Sequence, residues 1–210
     1  MRRAYSVDNV LNARFNGIEF TGEWERVFGK PERAHSAIIW GQSGSGKTTF
    51  NMQLAKYLST FEPVAYNSME EGLCKGIQDA YNRVGLTKEM PMQLLSESMA
   101  EFTKRLLRKK SPNIAFIDSV KYTRFSWNAY EDFCKMFPHK LLIWVAHAKG
   151  KEPKGALAED IRYDSSIKIY TEGFRAFVTS RYSTNSASSM DIWPKGAADY
   201  WGESLIQKIA

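Results

Sequence analysis

The stretch GQSGSGKTT, residues 41–49, limits the possible folds of this chain more than any other segment. It matches the pattern G-x-x-x-x-G-K-[ST], in which backbone amides surround phosphate groups and a lysine reaches the terminal phosphates. The pattern needs a strand before it and a helix after it. Residues 36–40 form a short apolar run, and from Thr48 the apolar residues recur at the spacing of one helical face. The segment therefore predicts a strand, a phosphate-binding loop and a helix.

The loop and the first residues of the helix are the expected contacts of a nucleotide. Lys47 is expected to reach the terminal phosphates, and the hydroxyl of Thr48 is expected to bind Mg²⁺. ATP and Mg²⁺ are therefore the predicted cofactors. The predicted nucleotide-binding residues are Gly41, Gln42, Ser43, Gly44, Ser45, Gly46, Lys47, Thr48 and Thr49.

Beyond the loop, short apolar runs alternate with segments of helical periodicity. Buried strands are predicted at residues 64–66, 114–117 and 141–146, helices around 73–84, 98–110 and 127–137, and later strands at 167–170, 174–180 and 190–193. Continuous apolar strands that alternate with helices are typical of a parallel sheet. The predicted fold class is α/β, with a mainly parallel central sheet covered by helices on both faces and an antiparallel C-terminal flank.

Length and composition fit one domain. The chain has 210 residues, of which 43% are hydrophobic and 25% are charged, as in an ordinary globular protein. We expect an N-terminal segment, 1–35, that packs on a core, 36–195, and a C-terminal tail, 196–210. The two cysteines, Cys74 and Cys134, fit neither a zinc spacing nor a disulfide framework.

No segment predicts insertion into a membrane. The basic start of the chain is followed by polar residues, and the richest apolar run, residues 141–146, is too short to span a bilayer. A cytoplasmic location is expected. The net charge of +6 is compatible with an anionic partner such as a nucleic acid but does not identify one.

Acidic residues follow two of the predicted strands, both of which we expect to lie near the loop. Asp118 can bind Mg²⁺ together with Thr48, although an aspartate after a strand can also cap a turn. Glu70 is placed where a general base is needed. Glu71 is expected to begin the next helix, where negative charge is favourable, and both glutamates can also be read as first-turn helix acids.

In motif order and spacing, residues 17–193 resemble the RecA-like ATPase core, most closely the branch of RadA, KaiC and the DnaB-type helicases. The P-loop carries this resemblance together with Ser68-Met69-Glu70, Ile117-Asp118-Ser119 and His147 in the run WVAHAKGK. The resemblance implies that Glu70 polarises the attacking water and that His147 senses the terminal phosphate. Alone, His147 would be an uninformative histidine after a strand.

The resemblance also implies self-association. In the family, a Lys-x-Arg pair at the end of a hairpin strand reaches the nucleotide of the neighbouring subunit, and this chain has Thr179-Ser180-Arg181. Arg181 retains the arginine finger, whereas Thr179 departs from the lysine. A homo-oligomer, either a ring or a filament, is the implied state, although Arg181 alone could be an ordinary exposed charge.

Two segments have a composition suited to single-stranded DNA, and RecA-like proteins place DNA-binding loops at these points. Basic residues alternate with aromatic ones in the first, and lysines recur in the second. A solvated loop with buried aromatic residues explains the same pattern. The candidate DNA-binding residues are Lys121, Tyr122, Arg124, Phe125, Lys149, Lys151 and Lys154.

Three functions remain open at this point. The first is a DNA-dependent ATPase of recombination, repair or replication, and the second is a KaiC-like switch in which ATP controls a protein interaction without DNA. A small-molecule kinase is the least favoured, because no arginine-rich lid lies between Gly72 and Ser111 and Arg83 is isolated. The absence of an N-K-x-D motif and of a second lysine in the loop disfavours GTPases and partition ATPases.

Overall fold

One mixed β-sheet with helices on both faces organises the protein. The structure, a computed structural model, describes residues 4–33, 35–184 and 188–202. The helices are α1 (Val7–Leu11), α2 (Gly22–Phe28), α3 (Lys47–Leu58), α4 (Lys75–Val84), α5 (Met99–Leu106), α6 (Val120–Thr123), α7 (Trp127–Met136), α8 (Ala156–Asp164) and α9 (Pro194–Trp201). The strands are β1 (His35–Gly41), β2 (Val64–Ser68), β3 (Met92–Leu95), β4 (Ile114–Asp118), β5 (Leu141–Lys149), β6 (Glu152–Pro153), β7 (Ile167–Glu172), β8 (Arg175–Ser180) and β9 (Ser188–Asp191).

The strand order is β3-β2-β4-β5-β1-β7-β8-β9, with β6 paired to β5 as a short hairpin. The first six of these strands are parallel to their neighbours, and β8 and β9 are antiparallel. All the parallel strands therefore end at the same edge of the sheet. This confirms the predicted α/β class with an antiparallel C-terminal flank.

Apolar residues on the two faces of the sheet form two separate cores. In β1, Ala37 and Ile39 belong to one core and Ile38 and Trp40 to the other, because successive side chains of a strand point to opposite faces. Helices α2, α3 and α4 cover the first face, and α5, α7 and α8 cover the second. Burial on both faces explains why these strands are apolar without alternation.

The N-terminal segment divides into two parts. Ile18, Phe20 and Phe28 are buried in the first core. Residues 4–16 are exposed throughout and include α1, which contributes no buried residue. Packing on the core therefore begins at residue 17.

Some helix boundaries and elements differ from those predicted. Helix α4 begins at Lys75, so the expectation that Glu71 begins it is wrong, and Leu73, within the predicted helix at 73–84, is 86% exposed. Gly85 ends this helix in the left-handed conformation. The sequence pattern did not predict α1, α2, β3, α6, β6, α8 or α9.

The C-terminal tail is helical up to Trp201 and packs on its own chain. Gly196, Ala197 and Ala198 of α9 are buried. The ring of Tyr200 lies against Gly173, and a Cβ built there would be 2.2 Å from it. Helix α9 therefore supports the turn between β7 and β8.

Candidate functional site

The loop after β1 forms one wall of a cleft of about 910 Å³ at the carboxyl edge of the sheet. Gly44 and Gly46 have φ angles of 79° and 93°, which favour glycine. Helix α3 begins at Lys47, so its free amide groups face the loop. The predicted residues that line the cleft are Gln42, Ser43, Gly44, Gly46, Lys47, Thr48 and Thr49.

The base of the loop is held by β7. The hydroxyl of Ser45 lies 2.8 Å from that of Thr171, and the Thr171 hydroxyl donates to the Trp40 carbonyl at 3.3 Å. A Cβ at Gly41 would lie 2.0 Å from Thr171 Oγ1, so only glycine fits there. Gly41 and Ser45 therefore contact β7 at the base of the loop, and the other predicted loop residues line the cleft.

Asp118, the last residue of β4, forms a hydrogen-bonded pair with Tyr66, a fully buried residue in the middle of β2. The Tyr66 hydroxyl donates to Asp118 Oδ2 at 2.5 Å and accepts from the Asn51 amide at 3.1 Å. Burial raises the pKa of Asp118 above its usual value, whereas the charge of Lys47 and the Tyr66 hydrogen bond act to lower it. Asp118 lines the same cleft as Lys47 and Thr48.

A tight turn after β2 carries Glu70 and Glu71. The Gly72 amide donates to the Ser68 hydroxyl at 3.2 Å and to the Ser68 carbonyl at 3.1 Å, and Gly72 has a φ of 60°. The Met69 amide donates to the Asp118 carbonyl at 2.6 Å, which joins the turn to β4. Both glutamates line the cleft, so the structure does not separate them by position alone.

Contacts with neighbouring side chains do separate the two glutamates. His147 Nε2 lies 3.1 Å and 3.0 Å from the two carboxylate oxygens of Glu70, and the Ser119 hydroxyl donates to Glu70 Oε2 at 3.1 Å. For Glu71 the side-chain hydrogen bond within the described residues is a long one, 3.9 Å from Cys74 Sγ. Glu70 is therefore the carboxylate held in a fixed orientation.

The sheet order differs from the expected arrangement of strands. We expected the strands that end in the two acidic sites to adjoin the loop strand, but β5 and β4 separate β2 from β1. The residues meet because β1, β2, β4 and β5 are parallel and end at one edge. His147, on the intervening strand β5, bridges the gap by its contact with Glu70.

The cleft is also lined by residues that no sequence pattern predicted, in two separate places. Arg83 of α4, which we described as isolated, lines the cleft and donates to Thr49 Oγ1 at 2.8 Å. Phe174, Ile192 and Trp193 line the cleft as well. They follow β7 and β9, so only the tertiary fold places them beside the loop.

Arg181 lies at the opposite edge of the sheet from the loop. Its amide donates to the Ser166 carbonyl at 3.1 Å, and it follows Ser180, which pairs with Ile167 at the start of β7. Ile167 pairs with Ala37, whereas the loop follows Gly41, so about 13 Å of strand lies between them at roughly 3.3 Å per residue. Arg181 is therefore distant from the cleft of its own chain.

The candidate DNA-binding residues lie at the loop edge, on two neighbouring segments. Helix α6 and the residue after it carry Lys121, Tyr122 and Arg124, and α6 contacts β5 and α8. Tyr122 is 43% exposed, with Lys121 Nζ 5.4 Å from its ring centre. Phe125 instead packs between core rings, 5.8 Å from Phe133.

Lysines of the β5–β6 hairpin form the second segment. Lys149, Lys151 and Lys154 are all exposed. The Lys151 carbonyl accepts a hydrogen bond from the Trp40 indole at 2.9 Å, which anchors the hairpin. The structure thus places both basic segments at the edge that carries the cleft.

Across the described residues, no helix has the length and apolar character needed to cross a membrane.

The solved structures with a similar fold include the following two. The flagellar accessory protein FlaH from Methanocaldococcus jannaschii is 14% identical, with a TM-score of 0.61, over 85% of this chain and 95% of that one. A KaiC-like protein from the archaeon Pyrococcus horikoshii OT3 is 16% identical, with a TM-score of 0.60, over 84% of this chain and 94% of that one. No protein-family model and no curated protein sequence matches the chain.

The structural likeness shows that this chain shares its fold with the FlaH and KaiC-like proteins, in agreement with the fold class expected from the sequence. At this level of identity it supports the fold and not an activity. The P-loop within this fold supports nucleotide binding, whereas the roles of Glu70, His147 and Arg181 stay predictions.

Proposed function

We propose that this protein is a Mg²⁺-dependent ATPase in which Glu70 is the general base. The observation that carries the proposal is the fixed orientation of Glu70 in the P-loop cleft, between His147 at 3.0 Å and Ser119 at 3.1 Å. Lys47 and the start of α3 supply the positive charge that a triphosphate needs. Glu70 then accepts a proton from the water that attacks the terminal phosphorus, and ADP leaves.

Thr48 and Asp118 are the residues that would hold Mg²⁺. Magnesium in nucleotide sites takes most of its oxygen ligands from phosphates and water, so a hydroxyl and one carboxylate suffice from the protein. An ion held there would neutralise charge that develops on the phosphate oxygens. His147, in contact with Glu70, is placed to couple the position of the base to the terminal phosphate.

The test compares Glu70→Gln with Glu71→Gln. Both glutamates line the cleft and both variants remove one negative charge, so Glu71→Gln is a matched control. Glu70→Gln should lower ATP turnover by about 10²- to 10⁴-fold with ATP binding retained, whereas Lys47→Ala should lose binding. Loss of turnover in Glu71→Gln alone would contradict the assignment of the base.

We further propose that single-stranded DNA stimulates this ATPase through the two basic segments at the loop edge. Their position beside the cleft supports this proposal, because DNA bound there would contact the strands that carry Asp118 and His147. Phe125 is removed from the candidate contacts, since it packs in the core. Tyr122 remains the exposed ring available for stacking.

Turnover with and without single-stranded DNA decides between the DNA-dependent ATPase and the KaiC-like switch. Stimulation that is lost in a Lys151→Ala, Lys154→Ala variant but kept in Lys109→Ala, Lys110→Ala would support DNA dependence. The second pair is a suitable control because it is equally basic and exposed but follows α5. An unchanged rate with DNA would favour the KaiC-like switch. One of the structural neighbours is itself described as KaiC-like.

The active form is proposed to be a homo-oligomer in which Arg181 acts on the nucleotide of a neighbouring subunit. Its place at the far edge of the sheet supports this, because Arg181 can serve a P-loop cleft only in another copy. A finger of this kind contributes on the order of 10³- to 10⁵-fold to turnover.

A further inference from the structure

An aromatic corner forms the part of the P-loop cleft that the proposed phosphate chemistry does not use. Phe174, Ile192 and Trp193 line it. They follow β7 and β9, which lie on the other side of β1 in the sheet from β2 and β4, the strands that carry Glu70 and Asp118 at their ends. The rings of Phe174 and Trp193 meet edge to face, with their centres 5.1 Å apart and their planes at 80°. Trp193 is nevertheless 50% exposed, which is unusual for so large a ring beside a core.

Backbone hydrogen bonds hold this corner against the P-loop. The Phe174 carbonyl accepts from the amides of Ile192 at 2.8 Å and Trp193 at 3.3 Å. The Phe174 amide donates to the Ser45 carbonyl, within the loop itself, at 3.2 Å. These bonds hold Phe174 at a φ of 58°, a conformation that a bulky residue rarely adopts. The rings are therefore fixed relative to any phosphate bound by the loop.

The first helix after the loop and the C-terminal helix both support the corner. Gln53 of α3 donates from its side-chain amide to the Ile192 carbonyl at 3.0 Å. One side of the Trp193 ring lies on Gly196 of α9, where a Cβ would be 2.2 Å from Trp193 Cε3. The Trp193 ring is half exposed and lines the cleft.

The geometry points to a nucleobase subsite formed by Trp193 and Phe174, an inference that rests on the proposed nucleotide binding. The loop takes the triphosphate, and the base of a nucleoside triphosphate then stacks on the exposed ring of Trp193. Aromatic stacking of a base stabilises binding without reading its edge. Arg83, hydrogen-bonded to Thr49, supplies positive charge on the other side of the same cleft.

This subsite would give different affinities for two ligands that the loop alone would bind equally well. ATP and inorganic tripolyphosphate offer the same phosphate groups, but only ATP has a base to stack. The protein should bind MgATP more tightly than magnesium tripolyphosphate, and the difference should depend on the Trp193 ring.

The experiment is calorimetric titration of MgATP and of magnesium tripolyphosphate into the full chain and its variants. Trp193→Leu should weaken ATP binding by about 5- to 100-fold, the effect of losing one base–aromatic stack, and should leave tripolyphosphate binding unchanged. Trp193→Phe should recover most of the loss because a ring is restored. Trp201→Leu, the same change at the last residue of α9 and beside Phe177, should bind both ligands as wild type does.

Each result bears on one proposal or the other. Unchanged ATP affinity in Trp193→Leu, with binding still lost in Lys47→Ala, would overturn the base subsite and leave the proposed ATPase intact. Equal weakening of ATP and tripolyphosphate would also overturn it, because the ring would then act on the loop and not on a base. A wild-type protein that binds neither ligand would overturn both.

Discussion

The hydroxyl of the buried residue Tyr66 forms hydrogen bonds with two neighbouring side chains, those of Asp118 and Asn51. It donates to Asp118 Oδ2 at 2.5 Å and accepts from the Asn51 amide at 3.1 Å. Tyr66→Phe removes both hydrogen bonds and keeps the ring, which is fully buried. The free energy of unfolding should fall by about 1–3 kcal/mol, the cost of unpaired buried groups, as measured by urea denaturation.

Tyr81→Phe is the matched control for that variant. The Tyr81 hydroxyl is buried and has no hydrogen-bond partner within the described part of the chain. Its removal therefore breaks no pairing, and the unfolding free energy should stay within about 0.5 kcal/mol of wild type. A loss in Tyr81→Phe as large as that in Tyr66→Phe would show that the effect comes from ring packing.

The Cys134 thiol should be unreactive at neutral pH. Burial raises its pKa to about 12, with Asp164 and Glu131 acting in the same direction. At pH 8 only about one thiol in ten thousand is then ionised, and the thiolate is the reactive form. In a Cys74→Ser variant, iodoacetamide should label the folded protein very slowly, about tenfold faster per pH unit gained, and rapidly in urea. Rapid labelling of the folded variant at pH 8 would contradict this assignment.

The site residues that could be predicted from the sequence are those that belong to a local motif or directly follow a predicted strand. Lys47 and Thr48 follow from the loop itself, and Asp118 follows from its position after a buried strand. Trp193 and Arg83 could not be found in this way. They reach the cleft through packing between elements that are far apart in sequence, and neither belongs to a local motif.

Helix α2 depends on a glycine at its C-terminal cap, Gly29. This residue has a φ of 70°, and a Cβ there would lie 2.0 Å from the Tyr182 carbonyl oxygen, a backbone atom that cannot move freely. Gly29→Ala should therefore lower the unfolding free energy by at least about 3 kcal/mol, from backbone strain and overpacking together. Thermal or urea unfolding measures the loss.

Gly22, the first residue of the same helix, provides the control. Its φ is 61°, but a Cβ there would meet nothing within 4 Å. Gly22→Ala should cost only about 1–2 kcal/mol, the penalty of the left-handed conformation. Equal losses in the two variants would mean that the contact with Tyr182 does not matter.

Among the elements, those with a long apolar pattern were predicted and the short or polar ones were not. Strand β3 has four residues and none is fully buried, so it lacks the apolar run that marked β2, β4 and β5. Helix α9 begins at a proline and is rich in small residues, whose burial depends on the hairpin beside it. An element that is stabilised only by tertiary contacts does not need an apolar pattern of its own, so the sequence does not predict it.

At the level of the whole molecule, the strand order is what the sequence could not provide. Alternation of strands and helices predicts a parallel sheet but does not say which strands are neighbours. In the structure β4 and β5 lie between β2 and β1. The candidate site was still predicted, because parallel strands bring their ends to one edge in any order.

Arg181 lies at the edge of the sheet opposite to the one that carries the cleft. Its proposed action on a neighbouring copy can therefore be tested by mixing two variants. If Arg181 acts only in another copy, Arg181→Ala and Lys47→Ala should each be nearly inactive alone. A mixed assembly contains some clefts with an intact loop from one variant and an intact finger from the other. Mixing should therefore restore part of the turnover, with a maximum at intermediate ratios, as measured by phosphate release.

The control for this mixture is a pair of variants that share one defect. Lys47→Ala mixed with Thr48→Ala has no intact loop in either subunit, so turnover should stay at the level of the separate variants. Lack of recovery in the Arg181 mixture, at every ratio and with exchange of subunits demonstrated by mass, would contradict action between copies. Full activity of Arg181→Ala by itself would remove Arg181 from the reaction and leave Glu70 and His147, on the carboxyl edge, as the groups that act on the terminal phosphate.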